Sequence, residues 1–192
     1  MSFFIRNGGA IVIIETARLI LREYKLEDIK YMVDGLNNYN TAINLTVPYP
    51  YEEKYARFFI NKHSKHTEFD YSFAIELKEK NIFIGGTSLY FDEESGKYKG
   101  GIWLNEKYTN KGYGSEAWIA RALFAFEVLG LDEIENGFFE YNEHSWRMQE
   151  KIGYVKVGER INYCPALKKE VKEIITNLKK DTFYKLYPKM NK

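Results

Sequence analysis

Hydrophobic and polar positions along the chain fall into two repeating patterns, one with a period near two and one near 3.6. Residues 16–22 (TARLILR) alternate and are rich in branched side chains, which predicts a strand. Leu26, Ile29, Met32, Val33 and Leu36 recur at helical spacing, and Asn37 and Asn38 end that helix. Pro48 and Pro50 break the chain before a second helix, where Tyr51, Tyr55, Phe58 and Phe59 are expected to share one face. Strands are predicted at 71–77 (YSFAIEL), 82–91 (IFIGGTSLYF) and 98–104 (YKGGIWL), separated by turn-forming residues as in an antiparallel meander.

The pattern then changes. Residues 114–129 form an apolar stretch interrupted only by Glu116, Arg121 and Glu127, which predicts a largely buried helix stopped by Gly130. A strand at 134–141, a short helix at 142–152 closed by Gly153 and a strand at 154–161 follow. Pro165 is expected to open an extra basic helix at about 165–180, with Leu167, Val171, Ile174, Ile175 and Leu178 on one face. Residues 182–187 (TFYKLY) read as a last strand. The predicted fold class is α/β (α+β): a mixed, mostly antiparallel sheet of six to seven strands with helices on both faces. No repeat or linker divides residues 1–192, so one domain is expected, with its core at 15–187.

Composition narrows the function classes. With 45% hydrophobic and 17% aromatic residues, a sizeable core is available, and a net charge of +1 provides no global field for nucleic acid, so no DNA partner is expected. Charge is uneven, however: residues 151–192 carry 11 Lys/Arg against 4 acidic residues. One reading is a solvated basic helix face; another is a docking surface for an acidic or RNA-rich partner such as a ribosome, which charge reversal at Lys168, Lys169 and Lys172 would test. The single Cys164 excludes an internal disulfide or a CxxC site, and His63-x-x-His66 has no further ligand at metal spacing, so no metal is expected. No apolar stretch approaches the ~20 residues of a membrane span, and the N-terminal apolar run meets Glu15 at once. A cytoplasmic enzyme with no membrane partner is the expectation.

The chemistry concentrates at 101–117 (GIWLNEKYTNKGYGSEA), where a strand end, a polar loop and Gly112-x-Gly114 lead into the apolar helix. Glycines there admit a ligand close to the backbone, and a helix N-terminus supplies free N–H donors with a positive dipole end, which together suit a pyrophosphate. A plain turn is the alternative. A P-loop is excluded because Lys111 precedes Gly112. Gly112-x-Gly114-x-x-Ala117 matches a dinucleotide-binding variant, with Glu140 ending the next strand, but about seven residues separate the strand from the first glycine and the preceding pattern is antiparallel.

Three blocks in order carry a resemblance: TARLILREYKLED at 16–28, WLNEKYTNKGYGSEA at 103–117 and NEHSWRMQEKIGY at 142–154. Together they resemble the GNAT superfamily of N-acetyltransferases, particularly the branch that acetylates the N-terminal alanine or serine of ribosomal proteins. The resemblance implies acetyl-CoA as cofactor and a V-shaped splay between central strands that receives the pantetheine arm. It implies that Ile102, Trp103 and Leu104 line that splay, that the loop from Asn110 and the backbone of Lys111, Gly112, Tyr113, Gly114 and Ser115 hold the pyrophosphate, and that Asn142 contacts the arm. Asn142 also suits a helix cap.

Acetyl transfer needs an oriented amine, donors for the oxyanion and an acid for the thiolate. The backbone N–H of Leu104 is the expected oxyanion donor. Many relatives place a tyrosine acid seven residues after the asparagine; here that residue is Gln149, so a tyrosine acid is absent there. Ser145, three after Asn142, is the residue the branch resemblance offers to hydrogen-bond the sulfur and relay a proton, with a plain exposed hydroxyl in the helix's first turn as the alternative. Glu76 and Glu140 are candidate bases, Tyr141 a water-mediated alternative, and Glu116 is read as structural. The resemblance implies an amine acceptor: a protein or peptide α-amine first, then small amines such as polyamines, aminoglycosides or amino acids. A non-catalytic CoA-binding protein is the rival class, and a homodimer stays an open alternative.

Overall fold

A computed structural model describes residues 1–6, 11–63 and 65–188. Within them, the expected meander is formed by β4 (Asp70–Leu77), β5 (Ile82–Asp92) and β6 (Lys97–Leu104), paired antiparallel in sequence. Strand β3 (Leu19–Arg22) lies against β4 and covers the end of the predicted 16–22 strand. Two strands with no counterpart in the predicted pattern, β1 (Ser2–Arg6) and β2 (Ile11–Glu15), extend that edge as an antiparallel pair.

The other half holds β7 (Glu133–Phe139), β8 (Val155–Cys164) and β9 (Lys169–Lys179). The sheet order is β1-β2-β3-β4-β5-β6-β7-β9-β8, so nine strands are found among the described residues against the six to seven expected. Only β6 and β7 run parallel, because a helix must carry the chain across the sheet between them.

Helices cover both faces. Helix α1 (Ile29–Leu36), the short α2 (Tyr39–Ala42) and α3 (Glu53–His63) sit on one face, where Tyr24, Met32, Leu36, Tyr51, Ala56 and Ile60 pack with Ala74 and Phe83. The expected aromatic face of α3 is only partly realised: Tyr51 is buried, whereas Phe58 is 69% exposed and Ala56 and Ile60 take the buried positions.

Helix α4 (Tyr113–Leu123) occupies the other face and continues as a π turn, Phe124–Val128, before Gly130 at φ +67° stops it as predicted. Trp118, Phe124 and Phe126 are fully buried there, each contributing roughly 1.5–3 kcal/mol of apolar burial. Arg121 is buried too. Its guanidinium lies between strands β5 and β6, donating to the carbonyls of Ser88 (3.1 Å) and Gly101 (3.0 Å), and Gly100 has no Cβ to block it. Helix α5 (Glu143–Ile152) follows β7 and ends at Gly153 in the left-handed region, φ +107°.

Two C-terminal expectations are corrected. The basic helix expected at about 165–180 is the strand β9, and the strand expected at 182–187 is helix α6 (Lys180–Leu186). Val171, Ile174, Ile175 and Leu178 satisfy helical spacing, but Val171, Ile174, Ile175 and Thr176 are branched at Cβ and favour a strand. The segment gains ladders on both sides, with β7 from Glu133↔Lys179 and with β8 to Cys164↔Lys169. In α6 the aromatic residues are spaced for a helix instead: buried Phe183 meets Phe126, with Tyr184 and Tyr187 against the same core. The basic residues therefore lie in a turn and a hairpin, with Lys172 paired to Glu159 at 3.3 Å, and the expected basic helix face does not exist.

Candidate active site

Strands β6 and β7 touch at one bridge, Lys99↔Glu135, and then part. Beyond it, β6 pairs only with β5, and β7 only with β9. Antiparallel ladders alternate the side to which backbone groups point. Asn105 N–H donates to Ile84 on β5 (2.9 Å), so the even-numbered neighbours Leu104 and Ile102 turn their N–H and C=O groups towards the parted strand β7. A cleft of about 740 Å³ fills this gap.

Most of the residues expected in the cofactor cleft meet there. Ile102, Trp103, Leu104, Asn110, Gly112, Gly114, Ser115, Asn142 and Ser145 all line it. Lys111 and Tyr113 do not. The Lys111 carbonyl accepts from Arg18 at 2.9 Å, and the Arg18 guanidinium stacks 4.5 Å over the Tyr113 ring.

Gly112 sits at φ +79° at the start of α4, a conformation that favours glycine. No side chain caps α4, so its first N–H groups remain available to an anion. Glu116 in that first turn is turned outward by Arg18 (2.6 Å) and Thr16 (2.6 Å), which supports its structural reading. Burial raises the pKa of its carboxyl, but the bonds from Thr16 and Arg18 outweigh it and hold the group below its ordinary range.

Helix α5 is capped, by contrast: the Asn142 side chain accepts the Ser145 N–H at 3.1 Å. This places the Ser145 hydroxyl one turn into the helix, at the cleft wall. Gln149 is fully buried behind it.

Neither candidate base is brought to the cleft. Glu76 on β4 faces α1 and is held by Arg22 at 2.6 Å, with Asp28 on the same guanidinium, and it does not line the cavity. Glu140 is exposed just beyond β7 and is likewise outside the lining. Alternation along a strand leaves such faces undecided until the helices are placed. Tyr141 donates to the Ile43 carbonyl at 2.5 Å, and burial pushes its phenol up, so it ties the β7–α5 corner to the segment after α2.

Several lining residues have no motif signal. Asn40, Thr41 and Asn44 come from the α2 segment across the cleft, and Glu106 joins them, its carboxylate held by Asn38 (2.6 Å) and Asn40 (2.9 Å). Asn136, a polar residue in the middle of a core strand, is 5% exposed and lines the cleft, and its Oδ1 has no hydrogen-bond partner. That last position was the readable clue, since a buried amide needs a partner.

These features fit coenzyme A: strand-edge groups for amides, an orphaned buried acceptor, and an uncapped helix N-terminus for phosphates. Fold and site together define a transferase that draws a long thioester carrier into a parted sheet. Residues 18–155 match the acetyltransferase (GNAT) domain family. The chain belongs to this family and is an N-acetyltransferase that uses acetyl-CoA. It is 29% identical over 150 residues to the uncharacterized N-acetyltransferase YnaD of Bacillus subtilis, covering 76% of this chain and 84% of that protein. Its fold is similar to many solved structures, two of which bear on the acceptor. One is spermidine N-acetyltransferase from Vibrio cholerae, in complex with CoA and spermine (TM-score 0.73, 20% identity, 88% of this chain and 99% of that one). The other is a ribosomal-protein alanine acetyltransferase from Vibrio fischeri (TM-score 0.69, 18% identity, 89% and 98%). Among the described residues, no helix is long and apolar enough to cross a membrane.

Proposed function

We propose that the acceptor is a single α-amine at the N-terminus of a protein or peptide. The observation that carries this reading is the lining of the cleft opposite α4. Asn40, Thr41 and Asn44 are uncharged, and Glu106 is the one carboxylate in the described lining, against Arg147 and Lys151 at the other side. One carboxylate matches one ammonium. A polyamine, with several cations, would meet a single carboxylate in the described lining, beside the basic side chains of His144, Arg147 and Lys151, which do not complement it. Both Glu106 oxygens already accept from amides, which suits orienting an ammonium more than removing its proton.

In this reading, acetyl-CoA supplies an activated acetyl thioester. The α4 N-terminus holds its phosphates, while the open backbone edge of Ile102 and Leu104 and the side chains of Asn136 and Asn142 hold its amides. Once the ammonium has lost a proton to water in the open cleft, the neutral amine would attack the thioester carbon. The Leu104 N–H, turned into the gap, would stabilise the oxyanion, and the thiolate would leave as the second amine proton passes to solvent. Ser145 donates a hydrogen bond to the departing sulfur.

The test is thiol release from acetyl-CoA with peptides bearing N-terminal Ser, Ala or Thr, beside spermidine and spermine. The expected result is a peptide kcat/KM at least about tenfold above either polyamine, a 1.4 kcal/mol preference. Saturable polyamine turnover with inert peptides would overturn it and favour the small-amine reading.

A further inference from the structure

Ser145 ends a chain of hydrogen bonds that starts on β9, the strand behind β7. The Thr176 hydroxyl on β9 donates to Gln149 Oε1 at 2.5 Å, and Gln149 Nε2 donates to Ser145 Oγ at 3.1 Å. Thr176 and Gln149 are both 0% exposed, so no solvent competes for these groups. Their polarity runs one way. The amide oxygen is taken by Thr176, so the amide nitrogen faces Ser145, and that nitrogen can only donate.

A serine oxygen that accepts from behind must direct its own proton elsewhere. The cleft is where the remaining side of Ser145 is open. An amide neither gains nor loses a proton at working pH, so the chain cannot carry one. It orients. The serine is thereby held as a hydrogen-bond donor, and no proton reaches it through Gln149.

We propose that Gln149 and Thr176 are positioning residues that hold the Ser145 hydroxyl as a donor to the sulfur of coenzyme A. This rests on the cleft being the acetyl-CoA site and on Ser145 facing the sulfur. Preorganised donors stabilise the thiolate that departs in acetyl transfer, and they lower the pKa of the same thiol in the bound product. Rotation of the hydroxyl away from the sulfur removes that effect without emptying the cleft.

The experiment uses CoA itself and the thiolate ultraviolet absorbance of the bound ligand, titrated against pH. Calorimetry gives CoA affinity, and thermal melting checks the fold of each variant. The variants are Ser145→Ala, Gln149→Met, Thr176→Val and the Ser145→Ala/Gln149→Met double. In the wild type, bound CoA is expected to ionise below free CoA. Gln149→Met and Ser145→Ala are each expected to lower the thiolate fraction about threefold to tenfold, with CoA affinity changed far less and no further loss in the double variant. Thr176→Val keeps a branched side chain of similar volume and is expected to shift the same way by a smaller factor, so the inference stays testable should Gln149→Met fail to fold. A normal titration in folded Gln149→Met or Thr176→Val, beside a shifted one in Ser145→Ala, would overturn the positioning role alone. An unshifted Ser145→Ala would overturn both it and the sulfur contact. Absence of CoA binding by the wild type would instead sink the cleft reading on which both stand.

Discussion

The Asn142 side chain accepts the backbone N–H of Ser145 at 3.1 Å, so the residue that begins α5 also sets where the cleft hydroxyl stands. Cap and site are one unit here. Asn142→Ala is expected to cost about 1 kcal/mol of stability, seen as a lower Tm. Asn142→Asp keeps the cap and is expected to melt near the wild type, while binding acetyl-CoA roughly tenfold more weakly because the amide donor is gone. Equal affinity for Asn142→Asp and wild type would reduce Asn142 to a cap.

Gly112 and Gly114 serve different ends. Gly112 holds φ +79°, and Gly112→Ala is expected to cost roughly 1–2 kcal/mol from the left-handed conformation alone. At Gly114 a Cβ would stand 3.1 Å from Met148 Sδ and 3.5 Å from Leu104 Cδ1, between β6 and α5. A long side chain there closes the gap, so Gly114→Trp should abolish acetyl-CoA binding by calorimetry. Retained micromolar binding would place the ligand elsewhere.

Asn136 predicts a trade between stability and function. Its buried Oδ1 lacks a partner in the free protein, at a cost on the order of 1–3 kcal/mol. Asn136→Ala is expected to leave Tm unchanged or raise it, while weakening acetyl-CoA binding roughly fivefold to tenfold. A drop in both would show that the amide serves the fold.

Glu116 sets a pH dependence. Its folded-state pKa is depressed, so the folded chain binds fewer protons there than the unfolded chain. The stability it contributes is present above the unfolded carboxylate pKa and is lost as pH falls through the folded value. Thermal melts from pH 7 downward should show Glu116→Gln losing less stability on acidification than the wild type. Parallel curves would remove Glu116 from the acid response.

Glu76 sits on Arg22 and not in the cleft. Glu76→Gln is expected to lower stability by leaving the partly buried Arg22 guanidinium short of one of its two carboxylates, and to leave turnover of an identified substrate within about twofold. A hundredfold loss of kcat with an unchanged melt would restore it as a base.

Local chemistry was enough to read much of this protein. Gly-x-Gly before an apolar helix, an asparagine at a helix start with glycine at its end, and three short alternating runs each specify structure through spacing of at most a few residues. The GNAT resemblance, the meander, α4, α5 and the loop and helix-start residues of the cleft lining were therefore legible from the chain. The C-terminal pair was not. KEVKEIITNLK satisfies both periods, and what decides it is the pair of strands on either side, β7 and β8, which come from distant sequence.

The site divides in the same way. Sequence determined which residues stand at the loop and helix starts, because turns and caps are local. Tertiary structure alone decided that Glu76 turns to Arg22, that Glu106 and the α2 asparagines reach the cleft, and that Gln149 links Thr176 to Ser145. Those facts depend on which face of a strand a helix covers and on contacts such as Thr176–Gln149 and Asn38–Glu106, 27 and 68 positions apart, and no local pattern carries that information.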